Sequence, residues 1–527
     1  MSEQLILAAD KIAAPSISYW ALLPMLILLG AATVGVLVEA FVPRSARHPV
    51  QVAVAGLGLL ASLVAVVALA VGDHAKTGST FGIKTAPNVV VIDGPALLLQ
   101  GTIALLGLIS VLLIAERSLE PGGPFVANAA VVAGSPTDRE HSASADSQTE
   151  VFPLTVFALA GMMLFVAAND LLLMFVALEV LSLPLYLLCG LARRRRLISQ
   201  EAAVKYFLLG SFASAFFLYG VALIYGYANT VTLSGIRTAI DESPSNDLLL
   251  LLGLAMLVIG LLFKAGVAPF HQWTPDVYQG APTPITALMA SVTKVAAFGA
   301  IMRVLYVAFQ SLRWDWRPVV IAVAIISMLL GSILAVTQTD IKRLLAYSSI
   351  ANAGFILTGV VALTPAGVSS SLFYLIAYGF TTIAAFALVM LVRDADGEAT
   401  HLSRWAGLGR RSPVFAAVFT FVMLAFAGIP LTSGFSSKFA VFSAAAGGGA
   451  VSLVIVGVVA SMILAFPYLR VIVLMYLNEP AANGPDIVIP GLYTSFALTV
   501  GVAITLVLGV YPGWALDLAN RASEFVR

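Results

Sequence analysis

Cysteine is almost absent from this chain, since Cys189 is the only one among 527 residues. A single cysteine excludes an internal disulfide and an iron–sulfur cluster held by cysteine thiolates. The 5 histidines do not combine with cysteine or glutamate at the spacing of a zinc or haem site. Any metal-based redox chemistry in which this protein takes part must therefore lie on another chain.

Charge is also scarce. Charged residues make up 10% of the chain and hydrophobic residues 60%, and so little charge cannot cover the surface of a water-soluble protein of this length. The formal net charge is +1 and there is no long basic tract, so nothing indicates nucleic acid as a partner. The composition predicts an all-α protein that crosses the lipid bilayer many times.

Long apolar runs define the predicted helices. Windows of about 20 apolar residues, the length that crosses a bilayer, recur along the whole chain. We predict fourteen transmembrane helices, at 19–41, 50–71, 95–115, 151–168, 170–192, 201–227, 248–269, 282–309, 318–337, 343–363, 368–392, 412–444, 450–477 and 490–511.

Lysine and arginine in the short loops predict the orientation. With the N-terminus outside, the cytoplasmic loops hold more basic residues than the outer loops, so both termini are expected on the outer, periplasmic side of the plasma membrane. The four arginines at 193–196 are then expected to act as a topology anchor.

A polar segment at 116–150 interrupts the apolar pattern. It is rich in Gly, Pro, Ala, Ser and Asp and has no helical period, which predicts a mobile and dispensable cytoplasmic insertion. It follows an N-terminal three-helix group at 1–115. Two five-helix repeats are predicted at 151–309 and 310–477, and a last helix and tail at 478–527.

The two repeats are predicted from two interrupted helices. The seventh span breaks at 265–269, directly after Lys264, and the twelfth breaks at 427–430, shortly before Lys438. Proline removes a backbone donor, so such breaks persist at membrane depth only where they face protein or water. Both breaks fall in the fourth helix of a five-helix block, and an odd number of helices makes the second block an inverted repeat. The alternative is a pair of unrelated proline kinks.

Ionisable residues occur within the predicted spans. A charged side chain at the bilayer centre costs roughly 2.5 to 3.5 kcal/mol on insertion scales, so such residues are functional candidates. A buried Glu/Lys pair has two settings, either paired and charged or separated and able to exchange protons. The alternative for the glutamate and the lysines is a fixed structural ion pair. The alternative for the histidine is a structural hydrogen bond to a backbone carbonyl. The candidates for proton transfer are Glu179, Lys205, Lys264, His271, Lys294 and Lys438.

The residues around Lys264 carry a family resemblance. The sequence LLFKAGVAPFHQWTPDVYQGAPTP at 261–284, followed by Lys294, resembles the signature of the antiporter-like membrane subunits of respiratory complex I and of Mrp-type cation/proton antiporters. The resemblance extends to 177–179, 340–354 and 428–439. Among complex I subunits the N-type branch is the most similar, because L-type subunits carry a long lateral helix and M-type subunits have glutamate in place of Lys438.

The resemblance implies roles for the glutamate and the four lysines among the ionisable candidates. Glu179 resembles a glutamate whose ion pairing modulates the key lysine, Lys264, and Lys205 matches a lysine near that glutamate. Lys294 resembles the residue that passes charge along the central axis, and Lys438 the terminal group of the twelfth helix.

The resemblance also implies an assembly. The chain is expected to be a proton-translocating subunit of the membrane arm of NADH:quinone oxidoreductase, without a cofactor or metal of its own. FMN, iron–sulfur clusters and quinone are expected on partner subunits, among them a second antiporter-like subunit and the small subunits near the quinone module. An Mrp-type antiporter and a structural scaffold are the alternatives, although no helix offers a carboxylate cage suited to sodium.

Overall fold

A computed structural model describes residues 17–77, 82–85, 89–126, 128–143, 148–242, 248–395, 397–480 and 484–526. Within these residues the protein is almost entirely helical. The few strands are short and antiparallel. β1 (Gly82–Thr85) pairs with β2 (Val90–Asp93), and β3 (Val392–Asp394) pairs with β4 (Gly397–Glu398) and β5 (Asp486–Ile487).

The helices follow one another with short connections. Those before residue 150 are α1 (Tyr19–Phe41), α2 (Arg44–Thr77), α3 (Gly94–Ala115) and α4 (Pro136–Ala143). The next are α5 (Val151–Ala167), α6 (Leu171–Cys189), α7 (Arg196–Ala228), α8 (Leu233–Glu242), α9 (Leu248–Ala265), α10 (Trp273–Gly280) and α11 (Thr283–Arg303), which continues as a π-helix (Val304–Ala308). The remainder are α12 (Arg313–Thr337), α13 (Ile341–Val360), α14 (Pro365–Leu391), α15 (Leu408–Arg411) after a 3₁₀ turn (Leu402–Trp405), α16 (Pro413–Ala427), α17 (Ser433–Gly447), α18 (Val451–Leu477), α19 (Leu492–Val510) and α20 (Gly513–Arg521).

Eleven helices in the described ranges are long and apolar enough to cross a membrane. They are α1, α2, α3, α6, α7, α9, α11, α12, α14, α18 and α19. Each of the other three predicted spans also overlaps a helix. α5 and α16 are apolar but have only 17 and 15 residues, and α13 has 20 residues but carries Lys342 and Arg343 in its first turn.

Two central helices hold the bundle together. α11 is enclosed along its whole length, α14 is enclosed over nearly all of its length, and the two pack against each other. Small residues allow close packing between other helix pairs, as is usual where water does not drive association. A Cβ at Gly220 of α7 would lie 2.5 Å from the Leu257 nitrogen of α9, and one at Gly331 of α12 would lie 2.6 Å from the Ala351 nitrogen of α13.

Aspartates begin two helices in the same way. Asp170 accepts hydrogen bonds from the backbone N–H groups of Leu172 and Leu173 at the start of α6. Asp340 accepts the equivalent bonds from Lys342 and Arg343 at the start of α13. Each aspartate satisfies N–H groups that the first helical turn leaves without partners.

The segment at 116–150 differs from the predicted insertion. It contains the helix α4, and its Val126 N–H bonds to the Leu191 carbonyl at 2.9 Å. At its start, the Glu116 carboxylate accepts the N–H groups of Ser118 at 2.8 Å and Thr494 at 3.2 Å. Burial raises the pKa of Glu116, but these hydrogen bonds outweigh burial and hold the pKa below its usual range. The segment therefore contains a helix that its aperiodic composition does not indicate, and long-range contacts connect it to the rest of the protein.

The arginines at 193–196, which were predicted to act as a topology anchor, join this segment to the bundle. Arg193 is buried and donates to the carbonyl oxygens of Gly123 and Gly122, at 2.8 and 3.0 Å. Arg196 is buried as well and pairs with Asp138 of α4 at 2.5 Å. These contacts argue against a dispensable segment.

Candidate functional site

Two breaks interrupt the helical bundle where the sequence predicts them. α9 ends at Ala265 and α10 begins at Trp273, and Gly266 between them has a φ of 68°. α16 ends at Ala427 and α17 begins at Ser433, and Gly428 after α16 has a φ of 85°. Glycine adopts this left-handed conformation without a steric penalty, so it can end each half-helix sharply. Each break leaves carbonyl oxygens at a helix end that need donors.

Lys264 lies in the last turn of α9, and its side chain is buried, with 4% of the residue exposed. Its Nζ donates to the Ser182 Oγ at 2.8 Å and to the Tyr206 hydroxyl at 3.1 Å. Ser182 donates in turn to the Leu178 carbonyl, and the Tyr206 ring stacks on Trp273 at 4.6 Å between centroids. The acceptors of this ammonium group are therefore neutral side-chain hydroxyls.

Glu179 is only partly buried and is separated from Lys264. Its Oε1 accepts a hydrogen bond from the Ser214 Oγ at 2.5 Å. Among the residues that the structure describes, no ion pair joins Glu179 to Lys264. Of the two settings expected for a Glu/Lys pair, the structure holds the separated one.

Lys205 does not lie in the buried site. Its side chain is 42% exposed and pairs with Glu201 and with Asp276, both at 2.7 Å. Asp276 also pairs with Arg343 at 2.6 Å. Lys205 is therefore more exposed than the other candidate lysines, and carboxylates on α7 and α10 pair with it.

Lys294 occupies the middle of α11 with 2% of the residue exposed. Its Nζ donates to the carbonyl of Ala265, the last residue of α9, at 3.1 Å, and to the carbonyl of Ser349 in α13 at 3.0 Å. One of the carbonyl oxygens that the first break exposes is thus satisfied by a lysine from another helix. Lys294 connects the first break to α13.

Lys438 lies in α17 with 6% of the residue exposed. Its Nζ donates to the carbonyls of Phe426 and Ala427 at the end of α16, at 3.0 and 3.1 Å, and to the Ser461 Oγ at 2.9 Å. The ammonium also lies 4.9 Å from the centroid of the Phe355 ring, a favourable cation–π distance. This lysine therefore caps the half-helix of its own break.

A row of polar side chains lies between Lys294 and Lys438. Asn352 donates to the Ser348 carbonyl at 2.8 Å, and the Tyr374 hydroxyl donates to the Asn352 Oδ1 at 2.7 Å. Asn352, Tyr374 and Lys438 all line a cavity of about 10 Å³, close to the least space that holds one water molecule. Hydrogen-bonding groups therefore continue from α13 to the second break.

His271 lies in the connection between α9 and α10 and is half-buried. The Lys264 ammonium bonds to Ser182 and Tyr206 and not to this imidazole. The structure therefore leaves His271 outside the hydrogen bonds of the lysine that it was predicted to assist. Among the described residues, no three or more His, Cys, Asp or Glu side chains group as metal ligands do.

Known proteins share this arrangement of helices. Residues 168–464 match the family described as NADH:quinone oxidoreductase/Mrp antiporter, transmembrane. The chain is 63% identical to NADH-quinone oxidoreductase subunit N of Salinispora arenicola (strain CNS-205), over 97% of this chain and 99% of that protein. This chain belongs to the subunit N family of NADH-quinone oxidoreductase. The resemblance predicted from the motif around Lys264 is thereby confirmed.

Solved structures agree with membership of the subunit N family. A chain of respiratory complex I from Thermus thermophilus with bound aureothin has a TM-score of 0.74 and 31% identity, covering 94% of this chain and 99% of that one. A chain of the Mrp complex from Dietzia sp. DQ12-45-1b has a TM-score of 0.78 and 24% identity, covering 95% of this chain and 97% of that one. At that identity the second likeness shows the shared fold alone.

In this member of the subunit N family, sequence reasoning missed the neutral partners of the lysines. Ser182 follows Glu179 by three residues in α6, a spacing that puts both side chains on one helix face. Ser348 and Asn352 are four residues apart in α13 and share a face in the same way. These spacings are the sequence signal from which the polar partners in α6 and α13 could have been predicted. Tyr206 had no such signal, because its approach to Lys264 depends on how α7 packs against α9.

Proposed function

We propose that this chain is a proton-translocating, antiporter-like subunit in the membrane arm of a bacterial NADH:quinone oxidoreductase. The observation that carries the proposal is the set of three buried lysines, Lys264, Lys294 and Lys438. Within the described part of the chain, their ammonium groups hydrogen-bond only to hydroxyls and backbone carbonyls. Buried cations without a carboxylate partner are costly, and proteins retain them where charge is moved. Membership of the subunit N family supports the same function.

The proposal includes fourteen transmembrane helices in two inverted five-helix repeats, at 151–309 and 310–477. Equivalent backbone pairs support the repeat. Asp170 at the start of α6 bridges to Thr232, and Asp340 at the start of α13 bridges to His401. Both aspartates cap the second helix of their block. The remaining parts are then a three-helix group at 1–115, the segment at 116–150, and a last helix and tail at 478–527.

In this mechanism Lys264 exchanges protons and Glu179 controls it. When the two side chains pair, their attraction favours the charged lysine, and when they separate, as here, the ammonium has only neutral acceptors. Two unit charges about 4 Å apart interact by about 4 kcal/mol at an effective dielectric of about 20. A membrane potential of about 100 mV is worth about 2.3 kcal/mol per charge. The energy of making or breaking the ion pair is therefore large enough to control the movement of a proton.

Lys294 and Lys438 extend the route along the membrane midplane. Lys294 bonds to the end of α9 and to α13, and Asn352 and Tyr374 continue the polar groups toward Lys438. If each break builds one half-channel, protons enter at one break and leave at the other or pass to a neighbouring subunit. Lys205 and His271 lie at the edge of this route, and Lys205 forms an ion pair there with Asp276.

The proposed assembly places the redox chemistry elsewhere. FMN, iron–sulfur clusters and quinone lie on partner subunits, and the neighbours are a second antiporter-like subunit and the small subunits near the quinone module. Both termini lie on the outer side of the plasma membrane, as the distribution of lysine and arginine in the loops favours. Among the residues with described positions, the acceptors of the buried lysines are hydroxyls and carbonyls and not the carboxylates of a sodium cage.

Purification of the native complex tests the proposal. A tagged chain extracted in mild detergent should carry flavin and iron–sulfur subunits with it and oxidise NADH with quinone as acceptor. A flavin-free assembly of antiporter subunits would instead identify an Mrp-type antiporter. The vesicle experiments below separate a pumping subunit from a passive scaffold.

A further inference from the structure

A cavity of about 460 Å³ opens where α4 meets the start of α7. Its lining includes the arginines at 193–196, Asp138, Leu197 and Ile198. This volume is in the range of pockets that bind small molecules. Four arginines among the lining residues give the cavity the chemistry of an anion site.

Positive charge exceeds negative charge around the cavity in the described part of the chain. Asp138 pairs with Arg196, and Glu120 pairs with both Arg194 and Arg393 at 2.5 Å. Arg195 bonds only to neutral acceptors, the Thr400 hydroxyl at 2.9 Å and the Glu398 carbonyl at 3.1 Å. The carboxylates of Asp138 and Glu120 are therefore too few to neutralise the arginines around the cavity.

Arg196 provides an independent sign of a missing acceptor. Its side chain is only 4% exposed, and its two terminal nitrogens bond to Asp138 at 2.5 Å and to the Ala129 carbonyl at 3.2 Å. Its Nε is buried and has no hydrogen-bond partner among the described residues. A buried donor without an acceptor is costly, so this Nε is a candidate donor for an anion in the cavity that Arg196 lines.

The start of α7 adds to the attraction for an anion. The helix begins at Arg196, runs for 33 residues and has no side-chain cap at its first turn. A helix N-terminus carries partial positive charge and N–H groups that point outward, which favours phosphate groups. The partial positive charge at the start of α7 and the charges of the arginines therefore both favour an anion in the cavity.

We propose that this cavity binds the phosphate group of an anionic membrane phospholipid. The cavity lies at the end of a membrane-spanning helix, and Leu197 in its rim is 66% exposed. The exposed side chains of Val204, Leu208 and Phe212 continue the same face along α7. An acyl chain can follow this apolar face while the phosphate occupies the basic cavity, as in other basic pockets at membrane surfaces.

The proposal is tested on the whole complex carrying Arg194→Gln together with Arg195→Gln. Both side chains are exposed, and Arg393 still neutralises Glu120 in the variant. The complex is placed in nanodiscs of phosphatidylcholine with increasing phosphatidylglycerol, extracted again, and analysed by mass spectrometry for retained lipid. Each arginine near an anionic headgroup contributes about fivefold in affinity, so the variant should bind phosphatidylglycerol about twenty-fivefold more weakly.

The matched control is Arg313→Gln, which changes another exposed arginine at the start of a spanning helix, beside the exposed Trp314. It should retain phosphatidylglycerol as the unmodified complex does. Equal retention by the double variant and the unmodified complex would overturn the site. If the double variant does not assemble, Asp138→Asn provides a second test, because losing the competing carboxylate should raise retention about fivefold. No rise with Asp138→Asn would also overturn the proposal.

Inorganic phosphate distinguishes the two sources of the ligand. Excess inorganic phosphate should leave the retained phosphatidylglycerol unchanged, because it lacks an acyl chain to lie against α7. A short-chain phosphatidylglycerol should displace the retained lipid. Displacement by inorganic phosphate at the same concentration would assign the cavity to free phosphate and contradict the lipid.

Discussion

At both breaks in the bundle a buried lysine lies beside the end of a half-helix, but the two ammonium groups have different acceptors. Lys438 bonds to the Phe426 and Ala427 carbonyls at the end of α16, so it caps its own break. Lys264 bonds instead to two hydroxyls, and the carbonyl at the end of α9 is satisfied by Lys294. A lysine that caps a helix interacts with its partial negative charge as well as with the orphan carbonyls.

The difference indicates that the buried lysines perform two tasks, the support of a helix end and the exchange of protons. At the first break, Lys294 supports the helix end and leaves Lys264 with partners that can rotate and that both donate and accept. At the second break, Lys438 supports the helix end itself. We therefore expect changes at Lys264 to affect proton movement more than stability, and changes at Lys438 to affect both.

The largest effect on pumping is expected for Lys264→Ala. A positioned proton-transfer group contributes about a hundredfold or more to rate, so the rate of proton transfer through this subunit should fall by roughly that factor. The complex should still assemble, because the partner of Glu179 is Ser214 and no buried carboxylate loses its cation. Acidification of inverted vesicles at equal subunit content measures this, and pumping at the unmodified level would remove Lys264 from the route.

Lys294→Leu should have the next largest effect. The leucine keeps the bulk of the side chain but removes the donor to the Ala265 and Ser349 carbonyls and the link between the halves. Pumping should fall by roughly tenfold, about 1.4 kcal/mol, because a water molecule can replace part of the link. The same vesicle assay applies. A variant that pumps normally would show that the two breaks work without Lys294.

Lys438→Ala should lower the thermal stability of the complex more than Lys264→Ala does. It leaves the Phe426 and Ala427 carbonyls without their donor, and each unsatisfied buried group costs about 1 to 3 kcal/mol. Lys264→Ala leaves hydroxyls that can rotate toward other acceptors and should cost less. Thermal dissociation of the purified complex compares the two. A lower dissociation temperature for Lys264→Ala than for Lys438→Ala would reverse the division of tasks.

The smallest effect is expected for Lys205→Ala. Its ion pairs with Glu201 and Asp276 are partly exposed, and exposed pairs contribute about 0.2 to 1 kcal/mol. Asp276 keeps Arg343 as a partner. Pumping should stay within about twofold of the unmodified level in the vesicle assay. A loss as large as that of Lys264→Ala would place Lys205 on the proton route.

The helices and the breaks could be predicted from the sequence because local signals determine them. Apolar windows long enough to cross a bilayer gave the spans, and glycine and proline beside Lys264 and before Lys438 gave both breaks. Burial of Lys264, Lys294 and Lys438 also followed from their apolar surroundings. The family was predicted from the motif at 261–284.

Interactions between distant parts of the chain could not be predicted in this way. The segment at 116–150 has little apolar surface, yet Glu120 joins it to Arg393, which lies far away in the sequence. Lys205 sits in an apolar run like the other lysines, but Asp276, which α10 brings beside α7, pairs with it at the edge. Such pairs depend on which helices pack together, and one sequence does not contain that information.

Removing the hydroxyl acceptors tests the central difference between the breaks most directly. Ser182→Ala with Tyr206→Phe keeps Lys264 but removes both of its acceptors, whereas Ser461→Ala removes only the side-chain acceptor of Lys438. Proton pumping per NADH is measured in inverted vesicles at equal subunit content. We predict a roughly tenfold loss for the double variant, about 1.4 kcal/mol, and a change within about twofold for Ser461→Ala, whose lysine keeps two carbonyls. Normal pumping by the double variant, or an equal loss in Ser461→Ala, would contradict the account.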